Sequence, residues 1–253
     1  MEEFRGLLVV DAERFSAHRD SDLPGLHREI RAAVTAACEA SGLGEVWKAV
    51  RFLESMGDGI LATLPHEAIP ALIDPFPLWL QEALAETAPW LRTRGIRLRL
   101  RAALHVGLLD DERHDAPGVS TAIIDVNRLL DADPLRDALR RSDPDVTLTA
   151  FLLSEEVFGT YVEGGRTGLH PGRCTKVRAR VKRFDRPAYL YVPVPSEIRE
   201  PDEEPSGGTA APAAPAAPVP SGGPVVSGVT ITGNRSRNVF GNQVGGDLRM
   251  GDP

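Results

Sequence analysis

Apolar and polar positions along this chain follow two periods, and the switches between them mark out its elements. Leu7, Leu8, Val9 and Val10 form an apolar run that stops at Asp11, which reads as a buried strand ending on a carboxylate. Over residues 23–42, Leu26, Ile30, Ala33, Val34, Ala37 and Cys38 recur at helical spacing, and Gly42 supplies the stop. Residues 46–64 read as two strands around Gly57-Asp58-Gly59, a hairpin turn in which glycine tolerates the positive φ of a tight bend. Residues 65–89 turn helical again but are interrupted by Pro70, Pro75 and Pro77, so the helix is predicted over 78–87. Trp79 and Trp90 are expected to pack in the core or on its flank.

Residues 96–104 alternate strictly, with Ile96, Leu98 and Leu100 on one face and Arg97, Arg99 and Arg101 on the other. Residues 177–182 repeat the pattern, with Val177, Ala179 and Val181 opposite Arg178, Arg180 and Lys182. Each predicts a half-buried strand whose basic face is solvated or turned toward an anion or a partner. Helices are predicted over 119–130 and 134–140, a strand over 146–153, and a helix capped by Ser154 and running to Tyr161. Strands over 176–182 and 188–192 close the domain. The order β, α, β, β, α, β with further elements suits an α+β fold, a ferredoxin-like mixed sheet with helices packed on it. Periodicity alone separates no further than α/β or α+β.

Composition then divides the chain. Residues 1–195 hold these elements; residues 196–224 are rich in Pro, Ala, Gly and Ser and read as a disordered linker. Residues 225–253 alternate short β-branched or aromatic bursts with Gly-Asn turns, as at Gly233-Asn234 and Gly241-Asn242, and read as a β-prone assembly motif or a disordered glycine-rich end. Cys38 and Cys174 stand far apart without metal-type partners nearby, which fits a reducing cytoplasm and neither a disulfide framework nor a zinc site. The acidic start Met1-Glu2-Glu3 is unlike a secretory signal, and no apolar run is long enough for a membrane helix. A net charge of -7, with no aromatics interleaved among the basic positions, argues against a nucleic-acid coat.

The candidate chemistry lies in two carboxylates. If the first strand and the hairpin are sheet neighbours, Asp11 and Asp58 lie side by side, and such a pair seats a hard divalent cation. Asp11 taken alone serves equally well as an N-cap for the helix that follows. Asp110, Asp111, His114 and Asp115 are also donors, but no element fixes their spacing.

The phrases VVDAERFS, ESMGDGILATLP, LRAALHVG and RLLDA, in that order, resemble the class III nucleotidyl cyclase homology domain, in particular its actinobacterial branch. The resemblance covers roughly the first three quarters of the chain. It implies that Asp11 and Asp58 hold Mg²⁺ or Mn²⁺ against a nucleoside triphosphate, and that Arg128 stabilises charge on the phosphorane. It places Lys182 as the triphosphate-binding lysine, although Arg183 follows where a glycine is usual. Glu54, beside Gly57 in the hairpin, falls where the family reads the base, which slightly favours guanine; a strand glutamate pointing to water is the simpler alternative. The family uses a head-to-tail homodimer, the aspartates coming from one protomer and the arginine and lysine from the other. One departure bears on catalysis: Ile124 stands where the family has asparagine, and Asn127 lies about 300° further around the helix. The tail resembles bacterial amyloid signalling motifs, implying homotypic assembly with a signalling partner. Two readings stay open, a triphosphate-binding cyclase domain in intracellular signalling and a non-catalytic dimerising scaffold recruited through its tail.

Overall fold

The computed structural model describes residues 3–50, 52–55, 58–109 and 120–197, of which 52–55 are described by backbone alone. Gly57, residues 110–119, the tail and all of the linker past residue 197 lie outside the described residues. In chain order the elements are β1 (Glu3–Ala12), α1 (Leu23–Ala40), α2 (Gly44–Lys48), β2 (Phe52–Ser55), β3 (Gly59–Pro65), α3 (Ile69–Ile73) and α4 (Phe76–Thr93). They continue with β4 (Leu100–Leu109), α5 (Thr121–Leu130), α6 (Asp133–Arg140), β5 (Thr149–Ser154), α7 (Glu155–Val157), β6 (Cys174–Val181) and β7 (Phe184–Tyr191).

The seven strands form one sheet in the order β2-β3-β1-β4-β5-β7-β6. Its first four strands have the ferredoxin-like arrangement, β1 lying antiparallel between β3 and β4. β5 then joins parallel to β4, and the β6–β7 hairpin adds an antiparallel edge. The sheet is mixed, and helices cover both of its faces.

That two-sided cover explains the continuous apolar run of β1. Leu8 and Val10 enter a core with α1 and α4, while Leu7 and Val9 enter a second core with α5 and α6. Asp11 is in phase with Leu7 and Val9, on the α5–α6 face.

Sequence-encoded caps set several boundaries. Past α1, Gly42 takes φ 76° while Leu43 N–H donates to Cys38 O and Gly42 N–H to Glu39 O, a Schellman closure. Ser120 Oγ accepts from Ile123 N–H at the start of α5, and Ser154 Oγ accepts from Val157 N–H at the start of α7. After α7 the chain continues in π-helical turns over Phe158–Glu163.

Four expectations are corrected. Residues 46–48 are helical in α2, where Trp47 is buried and its Nε1–H donates to Thr35 Oγ1 at 2.9 Å. Helix α4 runs through Pro89 to Thr93, because Leu84, Ala88 and Leu91 bury a continuous face that outweighs the lost backbone bond. Trp79 and Trp90 are exposed, and the Arg94 guanidinium lies 5.1 Å from the Trp90 ring centroid. The basic face of residues 97–101 is only partly solvated: α6 covers Arg99, which is buried and donates to Leu139 O.

Among the described residues no helix is long and apolar enough to cross a membrane.

Candidate nucleotide and metal site

β1 and β3 bring the backbones of Asp11 and Asp58 together, near enough for the Asp58 charge to act on the Asp11 carboxyl. Asp11 stands opposite Gly59, and Ala12 N–H donates to Asp58 O at 3.0 Å. Gly59 is needed for close approach rather than for a positive φ, since a Cβ there would lie 2.6 Å from Val10 O. Its role therefore differs from the turn glycine that the sequence implies.

On its other side Asp11 faces Arg101 of β4 in the register, and Arg101 Nη2 donates to Asp11 Oδ2. Among the described residues the buried Asp11 Oδ1 has no hydrogen-bond partner, and the same holds for Arg101 Nε. Burial pushes the Asp11 carboxyl up to about 6; Arg101 pulls it down, and the charges of Asp58 and Asp131 add to the rise.

Two adjacent carboxylates with one bare oxygen suit Mg²⁺ or Mn²⁺, which take few protein ligands and fill the remaining positions with water and phosphate. Among the described residues no group of three or more His, Cys, Asp or Glu is placed to hold a metal, so a divalent ion here would rely on Asp11 and Asp58. The donors fit such an ion, and Arg101 is their present counter-charge.

Beside this pair opens a cavity of about 910 Å³, between the end of β1, the end of α4 and α6. Seven of its described lining residues are arginines, among them Arg14, Arg99 and Arg101, and one, Glu13, is acidic. Arg14, two residues past the end of β1, holds φ 58°, a strained conformation for an arginine. Arg99 Nε lies 3.4 Å from Glu13 Oε2, so the innermost arginines are already engaged.

Arg128 and Lys182 are not brought to this end of the sheet. Arg128 lies on α5, Nη1 3.6 Å from Asp125 Oδ1 and its guanidinium 5.8 Å from the Phe184 ring centroid. Lys182 is exposed in the β6–β7 turn with φ 55°. Tyr191 of β7 is level with Phe151, near the Asp11 end, whereas Phe184 is at the far end of the same strand. At about 3.3 Å per residue that separation is on the order of 20 Å.

Glu54 is in β2 by its backbone, paired with Leu61, and Gly57 lies outside the described residues. Ile124 is 46% exposed on α5, and Asn127 Nδ2–H donates back to Ile123 O at 2.8 Å instead of projecting a free amide.

Two participants escape a reading by local pattern. Arg101 meets Asp11 only through the β1–β4 register; the alternation of residues 96–104 raises an anion-facing surface without singling it out. Asp125, 4% exposed, anchors Arg128 and lies 3.6 Å from Arg186 Nη1, and an acid amid Ile124 and Val126 is the signal that could have found it. His105 packs beside this group, Nδ1 3.7 Å from Glu156 Oε2; burial lowers its pKa against the pull of Glu156 and Asp125.

No family model matches the chain, and no curated protein matches it in sequence. Among solved structures, the guanylyl cyclase Cya2 superposes with a TM-score of 0.53 at 14% identity, over 80% of this chain and 96% of its own. The adenylyl cyclase CyaB from P. aeruginosa gives 0.49 at 14% identity, over 78% of this chain and 98% of its own. The guanylate cyclase domain of RhGC from Catenaria anguillulae, solved in complex with GTP, gives 0.47 at 13% identity, over 78% of this chain and 99% of its own. The fold of the described residues is thus the class III cyclase fold, as in Cya2.

Proposed function

We propose that residues 1–195 form a nucleotidyl-cyclase-like domain that binds a nucleoside triphosphate together with Mg²⁺ or Mn²⁺ and acts in intracellular, cytoplasmic signalling. What supports this reading is the backbone approach of Asp11 and Asp58 at one sheet end, with an Asp11 oxygen that is buried and unpartnered among the described residues and an arginine-lined cavity nearby. Asp11 and Asp58 would hold the cation, which would neutralise phosphate charge, and Arg14 and Arg101 would face the polyphosphate. Glu54 and Gly57 belong to the hairpin that would meet the base, with guanine slightly favoured.

Arg128 and Lys182 complete the set from a second copy. Their place at the far end of the sheet supports a head-to-tail homodimer, in which each interface pairs one aspartate end with one arginine–lysine end. Arg128 would stabilise negative charge developing at the α-phosphorus, and Lys182 would grip the triphosphate. The left-handed backbone at Lys182 supports a functional reason for a lysine in a turn that glycine would fill at lower cost. Residues 196–224 would tether the domain to a tail, 225–253, that assembles with copies of itself and a signalling partner.

A second reading, a dimerising scaffold without catalysis, is favoured by Ile124. An exposed aliphatic side chain offers no hydrogen bond one turn before Arg128, and loss of one such donor costs on the order of 10² to 10³ in rate. Incubating the purified chain with Mn²⁺ and each of the four triphosphates separates the two. Binding with a cyclic product supports the enzyme, binding without product supports the scaffold, and no binding removes the nucleotide reading altogether.

A further inference from the structure

Arg101 faces two ways. Its Nη2 donates to Asp11 Oδ2, and the same guanidinium forms part of the arginine-lined cavity wall. The contact with Asp11 is incomplete, because among the described residues Asp11 Oδ1 and Arg101 Nε are both buried and unpartnered. A guanidinium grips a carboxylate best through two parallel N–H···O bonds, and this pair lacks that double contact. The bare oxygen is buried while Arg101 lies on Asp11, and it is the one left for a divalent ion once the guanidinium moves. Phosphate accepts the same fork as carboxylate does, so a polyphosphate in the cavity competes directly for Arg101. Arg99 is no substitute on Asp11, since it is committed to Leu139 O and Glu13.

Charge balance decides between the two positions of Arg101. Asp11 and Asp58 together carry two negative charges. A divalent ion added while Arg101 stays leaves this half-buried site with one excess positive charge; if Arg101 moves to phosphate, cation and carboxylates balance. We propose that Arg101 is a counter-ion latch. In the ligand-free chain it stands on Asp11 in the place of the divalent cation, and a polyphosphate entering the cavity draws it away and opens the carboxylate to the metal. The proposal rests on the reading of Asp11 and Asp58 as a cation seat. Its consequence is reciprocal coupling, each ligand strengthening the other by the same factor.

The test is equilibrium binding to the full chain, with no turnover to read. Mn²⁺ alone is followed by the paramagnetic resonance signal of the free ion, and tripolyphosphate alone, in EDTA, by calorimetry. Arg101→Gln is expected to bind Mn²⁺ about tenfold tighter than the parent chain, within the roughly 5–150-fold range of ordinary coupling. Asp11→Asn, which keeps the shape and releases the guanidinium, is expected to bind metal-free tripolyphosphate about fivefold tighter or more. If Arg101 is only a fixed structural partner, Mn²⁺ binding by Arg101→Gln stays the same or weakens, and either result overturns the latch. Should Arg101→Gln fail to fold, the Asp11→Asn arm decides alone: unchanged or weaker tripolyphosphate binding also overturns it. Failure of the nucleotide reading looks different, because the parent chain then binds no triphosphate even with Mn²⁺ present, whatever the Arg101→Gln arm shows.

Discussion

Residues 96–101 and 177–182 carry the same alternation of apolar and basic side chains and meet opposite fates. The first leads into β4, an interior strand flanked by β1 and β5; the second is β6, at the sheet edge. Around β4 two of the three arginines are drawn inward, Arg99 buried against Leu139 O and Glu13 and Arg101 against Asp11, while Arg97 stays exposed on Asp145. On β6, Arg178 and Arg180 stay in water and share one exposed acid, Asp185, at 2.5 Å and 3.3 Å. Period-two patterning identifies which positions share a face. What covers that face depends on strand order and on helices far away in sequence.

The largest expected effect is at the interior strand. Arg99→Met strands Glu13 and the Leu139 carbonyl, and we expect a loss of about 2–4 kcal/mol in chemical denaturation. Gln81→Leu removes the clamp at the start of β5, the parallel neighbour of β4. Gln81 Oε1 accepts from Leu148 N–H and Thr149 N–H, and its Nε2–H donates to Val146 O. Stranding those buried groups should cost about 2 kcal/mol by the same measurement.

Protonation gives a smaller contrast between the two regions. The folded chain holds the Asp11 proton up to about pH 6, against 3.8 as the ordinary value, so this group contributes stability that is fully present below 3.8 and lost as pH rises through about 6. The size is at most about 3 kcal/mol, and less because the side chain keeps some contact with water. Thermal melts of the metal-free chain from pH 4 to 7 should show this fall, and Asp11→Asn should flatten it. Mn²⁺ affinity should weaken as pH drops below 6, by up to about tenfold per unit. At the edge, Lys182→Gly should relieve left-handed strain and raise stability by about 0.5–1 kcal/mol. Arg178→Met should leave the melting temperature where it is.

These contrasts also explain how far the sequence could be read. β1, α1, α5 and β5 are legible because their apolar patterns are clear and because Gly42 and Ser154 are local capping chemistry. Residues 96–99 look like strand but precede the β4 ladder, since their partner strand β1 ends at Ala12, opposite Leu100. Val46 and Trp47 read as strand because two apolar residues cannot fix a period. The pairing of β1 with β3, which sets Asp11 opposite Gly59, is legible because a strand and a hairpin in one sheet leave few registers. The Asp11–Arg101 contact joins residues 90 positions apart, and nothing local announces it. Arg128 and Lys182 are named by local motifs, and the sheet carries them away from the carboxylates of their own chain.

Gly59 separates ancestry from activity. Because the Val10 carbonyl leaves no room for a methyl group at this position, the residue answers to main-chain packing whether or not any reaction takes place beside it. A descendant that had abandoned its chemistry would still be held to glycine there, while Asp58 next to it became free to drift. Survival of the first residue therefore says little about turnover, and replacement of the second would be the earlier sign of retirement.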